Sequence, residues 1–245
     1  MKTCIIIPAR LSSTRLPNKP LADIGGKSMI VRVWEQAIKA NVGDVIVACG
    51  DREIYKEIKK INGTAFMTKK SHPSGSDRVY EALEQFDPYR DYDIVINMQG
   101  DLPLIDPDVF DKLLIPLRLN ADVDISTLAT VIKDNEELTN TSVVKIALSL
   151  GADEKIGRAL YFTRLQTPYG NGPFYHHQGV YGYRSEALKT FVHLPRGNLE
   201  KQEDLEQLRA LENGMRIDAV LVKNEFIGVD TPEDLEKARR IIKND

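Results

Sequence analysis

Two cysteines, Cys4 and Cys49, are all that 245 residues contain. That is too few for a disulfide framework, and they lack the spacing of a zinc site. Both lie in or beside apolar runs, where a thiol serves as a small buried hydrophobe. No stretch of about 18 apolar residues occurs, so no transmembrane helix and no membrane insertion are expected. The chain enters a strand pattern at Thr3 without a charged and apolar leader, so a cytoplasmic protein in a reducing compartment is expected. There is no excess of basic charge: the net charge is −3, which argues against a general nucleic-acid binder. Internal repeats and low-complexity linkers are also missing. Neither the Gly-x-Gly-x-x-Gly dinucleotide fingerprint nor the Gly-Lys-Ser/Thr ending of a Walker loop follows the first strand, which disfavours a Rossmann oxidoreductase and a P-loop NTPase.

What does follow that strand is a basic loop. Ile5-Ile6-Ile7 breaks at Pro8, and the segment to Pro20 carries Arg10, Arg15, Lys19 and three hydroxyls. A loop at the carboxyl end of a buried strand is where open α/β sheets bind ligands. Fixed cations, hydroxyls and backbone N–H groups suit a polyphosphate. Residue types alone fit a solvated basic loop equally well.

The chain continues as β-α-β-α-β, which implies parallel strands with right-handed crossovers. Strands are expected at Thr3–Ile7, Asp44–Cys49, Thr64–Thr68 and Asp93–Met98. Met29, Ile30, Val33, Trp34, Ala37 and Ile38 mark the apolar face of a helix between the first two. Further helices are expected at Glu53–Ile61 and Asp77–Phe86, and another from Asp106-Pro107, kinked or shortened by Pro116. The second half is less regular. Strand patterns occur at Asp124–Ile132, Val143–Leu148, Gly157–Thr163, His176–Tyr183 and Arg216–Val222, with a mobile loop or hairpin tip at Pro168–Pro173. Ser185–Val192 reads as a helix, Leu205, Leu208 and Leu211 mark another, and a last one runs from Pro232 to Ile242. A single α/β domain fits, with a mixed second half.

Three further constellations carry chemistry. Gln99-Gly100-Asp101 places an acid at the tip of a buried strand, where it holds a hard cation or braces the turn. In Val229-Asp230-Thr231-Pro232-Glu233-Asp234, Thr231 fills the N-cap position and Asp234 the third helical one, which frees Asp230 to face a site. Two carboxylates at separate strand ends suit Mg²⁺ with substrate phosphates, and with the cations they point to phosphoryl or nucleotidyl transfer. On the strand His176–Tyr183, alternation puts His177, Gly179 and Tyr181 on one face, suited to a hydroxylated acid or simply packed. A zinc site there needs a third ligand, and none stands nearby in sequence. Glu206 and Gln207 lie off the Leu205/Leu208 helical face, toward solvent.

These segments together resemble a known family. Ile6-Ile7-Pro8-Ala9-Arg10 through Ser13-Thr14-Arg15-Leu16-Pro17 and Lys19-Pro20-Leu21 is similar to the first motif of the sugar-activating cytidylyltransferases. His72-Pro73-Ser74-Gly75-Ser76-Asp77-Arg78, Gln99-Gly100-Asp101, His177 to Arg184, Leu205 to Arg209 and Gly228 to Leu235 resemble the later motifs, in order along nearly the whole chain. The Tyr-Gly-Tyr-Arg and Leu-Glu-Gln-Leu-Arg pairing resembles the branch that activates 3-deoxy-manno-octulosonate (Kdo); the Arg-rich motif alone is shared with enzymes acting on sialic acid.

The resemblance implies an α/β fold of the nucleotide-diphospho-sugar-transferase type, three-layered with a mixed, mainly parallel sheet. It implies one cytidylyltransferase domain, with a nucleotide-binding half at about 1–130 and a sugar-binding and dimerisation half at about 131–245. The implied reaction moves CMP from CTP to Kdo, with Mg²⁺, releasing pyrophosphate, in a homodimer serving lipopolysaccharide assembly. Another acid sugar, sialic acid or 8-amino-Kdo, is the alternative substrate. By motif, Pro8, Ala9, Arg10, Arg15, Lys19, Gly75, Arg78 and Gln99 would line the nucleotide site, with Arg10 and Lys19 on the triphosphate. Asp101 and Asp230 would bind the metal, and Arg10, Lys19, Asp101 and Asp230 would form the catalytic set. His177, Tyr181, Glu206 and Gln207 would contact the sugar acid. The sequence departs at Leu102, where the family commonly has Glu, and at Cys49-Gly50-Asp51, where it more often reads Ala-Thr-Asp.

Overall fold

The computed structural model describes residues 1–13, 15–151 and 155–244, apart from the Asn244 side chain; Thr14 of the first motif lies outside them. The chain runs β1 (Thr3–Ala9), a 3₁₀ turn (Lys19–Leu21), β2 (Asp23–Ile24), β3 (Lys27–Ser28), α1 (Met29–Ala40), β4 (Asp44–Cys49) and α2 (Arg52–Lys60). It goes on through β5 (Thr64–Met67), α3 (Gly75–Phe86), β6 (Ile94–Asn97), α4 (Val109–Leu119), β7 (Ile125–Val131) and α5 (Asn135–Thr139). It ends with β8 (Lys145–Leu150), β9 (Ile156–Thr163), β10 (Tyr175–Arg184), α6 (Ser185–His193), α7 (Asn198–Glu203), α8 (Leu208–Glu212), β11 (Ile217–Leu221) and α9 (Pro232–Asn244). These form two compact units, Met1–Phe110 with Phe226–Asp245, and Asp111–Glu225.

In the first unit the sheet order is β5-β4-β1-β6, all parallel. Every residue of β1 is buried, as a strand covered on both faces requires. Met29, Ile30, Val33 and Ala37 turn the buried face of α1 inward, while Ile38, in its last turn, is 47% exposed. The segment with Asp230, read from sequence as part of the second half, packs in this unit: Val229 N–H donates to Asp101 O at 2.9 Å, and Arg239 Nε to Asp23 O at 2.9 Å.

The second unit is built differently. β7 pairs parallel to β11, but β10–β7, β11–β9 and β8–β9 are antiparallel. A mainly parallel sheet therefore describes the first unit and not the second, where β8, β9 and β10 follow one another with no helix between them to serve as the crossover that parallel pairing needs. β8 and β9, neighbours in sequence, pair directly. The helix expected around Leu205–Leu211 begins only at Leu208, and a separate short helix, α7, ends before it where Asp204 adopts a left-handed conformation (φ 53°). Glu206 and Gln207 therefore sit in a turn, and Gln207 is buried. The expected helix at Asp106 begins at Val109; Asp106 Oδ1 accepts from Asp108 N instead, and Pro116 lies inside the helix without ending it.

One ion pair organises the turn between α7 and α8. The Glu200 carboxylate accepts from Arg209 Nε (2.9 Å) and Nη2 (2.7 Å), from Gly197 N–H (3.1 Å) and from Arg196 Nε (3.1 Å). Burial opposes its charge, yet Arg209 outweighs that and holds its carboxyl below the usual range. Arg209 also lies 4.9 Å from the Phe191 ring centre. Removing one member of such a pair strands a buried charge, at about 3–5 kcal/mol. Glu200→Ala is therefore expected to lower the melting temperature by about 6–20 °C in a thermal scan. A shift under about 2 °C would show the pair to be dispensable.

Candidate active site

The basic loop is fixed at both ends. Gly50 N–H donates to Ala9 O at 2.8 Å, and Leu11 N–H donates to Asp51 Oδ2 at 2.8 Å. Lys70 Nζ pairs with Asp51 Oδ1 at 2.6 Å. Burial works against ionisation of Asp51, but the Leu11 N–H and Lys70 prevail and hold its carboxyl below the ordinary value. Further along, Asn18 takes a left-handed conformation (φ 54°), which asparagine tolerates, and the 3₁₀ turn follows. That turn aims Lys19 back across the loop. Its ammonium lies 2.8 Å from Asp101 Oδ2 and 2.9 Å from Asp230 Oδ1. Arg15 Nη2 reaches Asp230 Oδ2 at 3.1 Å.

Each carboxylate has a local reason to be there. A Cβ on Gly100 would come within 2.9 Å of Pro8 O, so only glycine lets the β6 tip close against the end of β1. Thr231 Oγ1 accepts from Asp234 N at 3.2 Å, while Asp234 Oδ2 accepts from the N–H groups of Asp230 (3.1 Å) and Thr231 (3.0 Å). The α9 cap is thus filled by Thr231 and Asp234, and Asp230 is left to face Lys19. Burial opposes the Lys19 charge, but Asp101 and then Asp230 prevail and raise its pKa above the ordinary lysine value.

These side chains border a cavity of about 670 Å³. Every residue expected at the nucleotide site lines it: Pro8, Ala9, Arg10, Arg15, Lys19, Gly75, Arg78 and Gln99, with Asp101 and Asp230. Arg10 is exposed and has no hydrogen-bond or ion-pair partner among the described residues. Arg78 is buried, and its Nη1 donates to Thr68 Oγ1 (2.6 Å) and Lys69 O (3.1 Å). Burial, then the neighbouring Arg10 charge, pull its pKa down. Four cations face two carboxylates here, which leaves an electrostatic demand for a polyanion. Two carboxylate oxygens already converge on one cation, so the donor set also fits a hard divalent ion with phosphate oxygens completing its shell. Leu102 is buried and does not line this cavity; its Cδ2 is 3.9 Å from a Cβ built on Gly228. Sequence reasoning missed Asp51 as the residue that pins the loop. Its signal was present: Gly50-Asp51 after an apolar run repeats the pattern of Gly100-Asp101.

In the second unit, alternation on β10 fails. The pairing with β7 jumps between Gln178 and Tyr181, so Gly179 and Val180 form a bulge and Gly179 is exposed. Thr127 Oγ1 donates to Val180 O at 2.9 Å inside that bulge. It then accepts from His177 Nε2–H at 3.0 Å, a tautomer assigned from this network, which leaves Nδ1 as an acceptor. That bond also removes His177 Nε2 from any zinc site. The imidazole packs edge-on to Phe162 (4.9 Å between centres) and lies 5.4 Å from the Tyr181 ring. Burial, then His176, push its pKa down to about 3, so His177 is neutral near pH 7. Burial, then Tyr183 and Glu206, keep Tyr181 a protonated phenol. Gln207 Nε2 is buried without a hydrogen-bond partner among the described residues, an open donor. The turn, rather than a helix face, accounts for its burial.

The neutral His177 makes stability depend on pH. Its folded pKa lies below the unfolded value of about 6.5, so its contribution is complete above that pH and is lost as pH falls toward 3. Urea unfolding should show about 1 kcal/mol lost between pH 6.5 and 5.5 on this account. His177→Asn should flatten that slope; an unchanged slope would show that the imidazole is not held neutral.

Among known proteins, the cytidylyltransferase family model matches residues 4–217. The 3-deoxy-manno-octulosonate cytidylyltransferase of Paramagnetospirillum magneticum (strain AMB-1) is 51% identical over 239 residues, covering 98% of this chain and 97% of that protein. Its counterpart in Brucella ovis is 54% identical, covering 98% and 95%. Among solved structures, a CMP:2-keto-3-deoxy-manno-octonic acid synthetase complexed with CTP superposes with a TM-score of 0.90 at 36% identity, covering 100% of this chain and 99% of that one. A cytidylyltransferase from Leptospira borgpetersenii, 18% identical with a TM-score of 0.66, shares the fold. With its basic strand-end loop and paired carboxylates, the chain belongs to the cytidylyltransferase family.

Proposed function

We propose that the chain transfers CMP from CTP to the anomeric hydroxyl of Kdo, giving CMP-Kdo and pyrophosphate. The observation that carries this reading is the cavity at the end of β1. Four cations line it beside two carboxylates that converge on one ammonium. The relatives named above and the CTP-bound synthetase support the choice of nucleotide and sugar acid.

The sugar hydroxyl attacks the α-phosphorus in line, and pyrophosphate leaves from the opposite side. No covalent enzyme intermediate is needed, so the chain's task is positioning and charge neutralisation. Arg10, with no partner among the described residues, is free to neutralise the β- and γ-phosphates. Lys19 leaves the two carboxylates for the leaving group as the triphosphate arrives. Asp101 and Asp230 would hold Mg²⁺, which would lower the pKa of an attacking hydroxyl and offset phosphate charge. Arg78 and Gln99, beside Gly75, face the nucleoside. In the second unit the neutral His177 accepts a sugar hydroxyl through Nδ1 rather than acting as a cation, with Tyr181, Glu206 and Gln207 as further polar contacts.

A homodimer formed through the second unit belongs to the same reading. Exposed Leu119, Val131, Leu160, Leu165 and Tyr169 on that unit support it. So does a place in the cytoplasm, on the route to lipopolysaccharide; among the described residues no helix is long and apolar enough to cross a membrane.

Pyrophosphate release from CTP and Mg²⁺, measured with Kdo, 8-amino-Kdo and sialic acid in turn, tests the assignment. Turnover is expected with Kdo; faster turnover with another acid would overturn the substrate. Asp101→Asn should lower the rate by a few hundred-fold or more, about 3–4 kcal/mol of lost charge stabilisation. A rate within threefold of wild type would remove Asp101 from the metal.

A further inference from the structure

A second convergence of ligand-type side chains lies in the second unit, outside both sites described above. Glu137 on α5, His176 on β10 and Glu225, just beyond β11, come from three distant parts of the chain. One ligand atom from each lies within 4.8 Å of the other two. His176 Nδ1 is 3.6 Å from Glu225 Oε1. Glu137 Oε2 and His176 Nδ1 are both shielded from solvent and have no hydrogen-bond partner among the described residues.

Two carboxylates and an imidazole turned toward one another favour a shared positive charge between them. Lys145 acts on Glu137 without sitting between the two carboxylates. Lys145 is fully buried, but its ammonium donates to Asn140 O (2.7 Å) and Arg164 O (3.1 Å) and makes no ion pair with the cluster. A cleft of about 330 Å³, lined by Thr130, Lys133, Asp134 and Lys223, opens onto Glu137 and Glu225 and gives a path from solvent. Sequence spacing hid the set, because the partners of His176 stand 39 residues before it and 49 after it.

We propose that Glu137, His176 and Glu225 bind one borderline divalent cation of the Zn²⁺ class. One nitrogen and two carboxylate oxygens suit Zn²⁺ or Co²⁺ better than Mg²⁺, which prefers an all-oxygen shell. Bonds of about 2.0–2.1 Å in a tetrahedron set ligand atoms about 3.3 Å apart, so the three groups need only close in, which two flexible glutamates allow. The fourth position faces the cleft and takes water. Bound there, the ion ties α5 and the segment after β11 to β10. This site is independent of the Asp101–Asp230 pair, which lies in the first unit.

Calorimetric titration of the full chain with ZnCl₂ and with CoCl₂, without nucleotide, tests this. One ion per chain is expected at this site, with Co²⁺ giving the visible absorption of a tetrahedral complex. Glu225→Gln and His176→Asn should each weaken binding by about tenfold or more, and His176→Asn should abolish the Co²⁺ band. Asp101→Asn should leave both unchanged. Glu225 is exposed, so its variant keeps the fold even where the His176 variant does not. No bound ion, affinity within twofold of wild type in Glu225→Gln, or an ion lost with Asp101→Asn would each overturn the site.

Discussion

Lys19 is the fixed point of the first unit. Its ammonium holds Asp101 and Asp230 together, so three segments far apart in sequence meet at one charge. Two carboxylates this close repel unless a cation lies between them, and a half-buried pair is only weakly screened. The rest of the unit serves that geometry. The parallel sheet brings the β1 and β6 tips to the same edge, Gly100 lets them close, and the α9 cap releases Asp230 from local duty. Asp51 holds the start of the basic loop so that its far end can reach across.

This arrangement explains how a site can be both preorganised and exchangeable. The position a divalent ion requires is already shaped, but a side chain fills it with a single positive charge. On the proposed reading, an incoming metal and triphosphate would bring their own charges, so Lys19 could move from carboxylate to phosphate without leaving an uncompensated group. Arg10, with no partner among the described residues, faces the cavity as a standing demand for an anion. The second unit works by other means: His177 and Tyr181 are uncharged and buried, and Gln207 carries an open donor. On the proposed reading, such groups would select hydroxyls by hydrogen bonding, whereas the first unit would bind phosphate by charge.

Much of this was legible in the sequence. The βα alternation up to Met98 gave the parallel half, since each apolar run ended in a recognisable turn. Thr231 and Asp234 could be identified as a cap because capping is local, and from that followed the freedom of Asp230. What sequence concealed was non-local. The bulge at Gly179–Val180 depends on Thr127 reaching into β10, which no period-2 pattern reveals. Glu206 and Gln207 looked solvent-exposed because the leucine spacing reads as a helix from Leu205, whereas α8 begins only at Leu208 and the Glu200–Arg209 pair closes the turn before it. The second half was legible as mixed because its strand patterns lack strict βα alternation, but which strands pair was not, and the return of Phe226–Asp245 to the first unit left no local signal.

The exchange at Lys19 is the centre of the account, and crystallography on the chain soaked with CTP and Mn²⁺ tests it most directly. The account expects an anomalous peak between Asp101 and Asp230, with the Lys19 ammonium moved onto a phosphate oxygen. CTP bound in the cavity with Lys19 still bridging the two carboxylates, and the Mn²⁺ elsewhere, would contradict it.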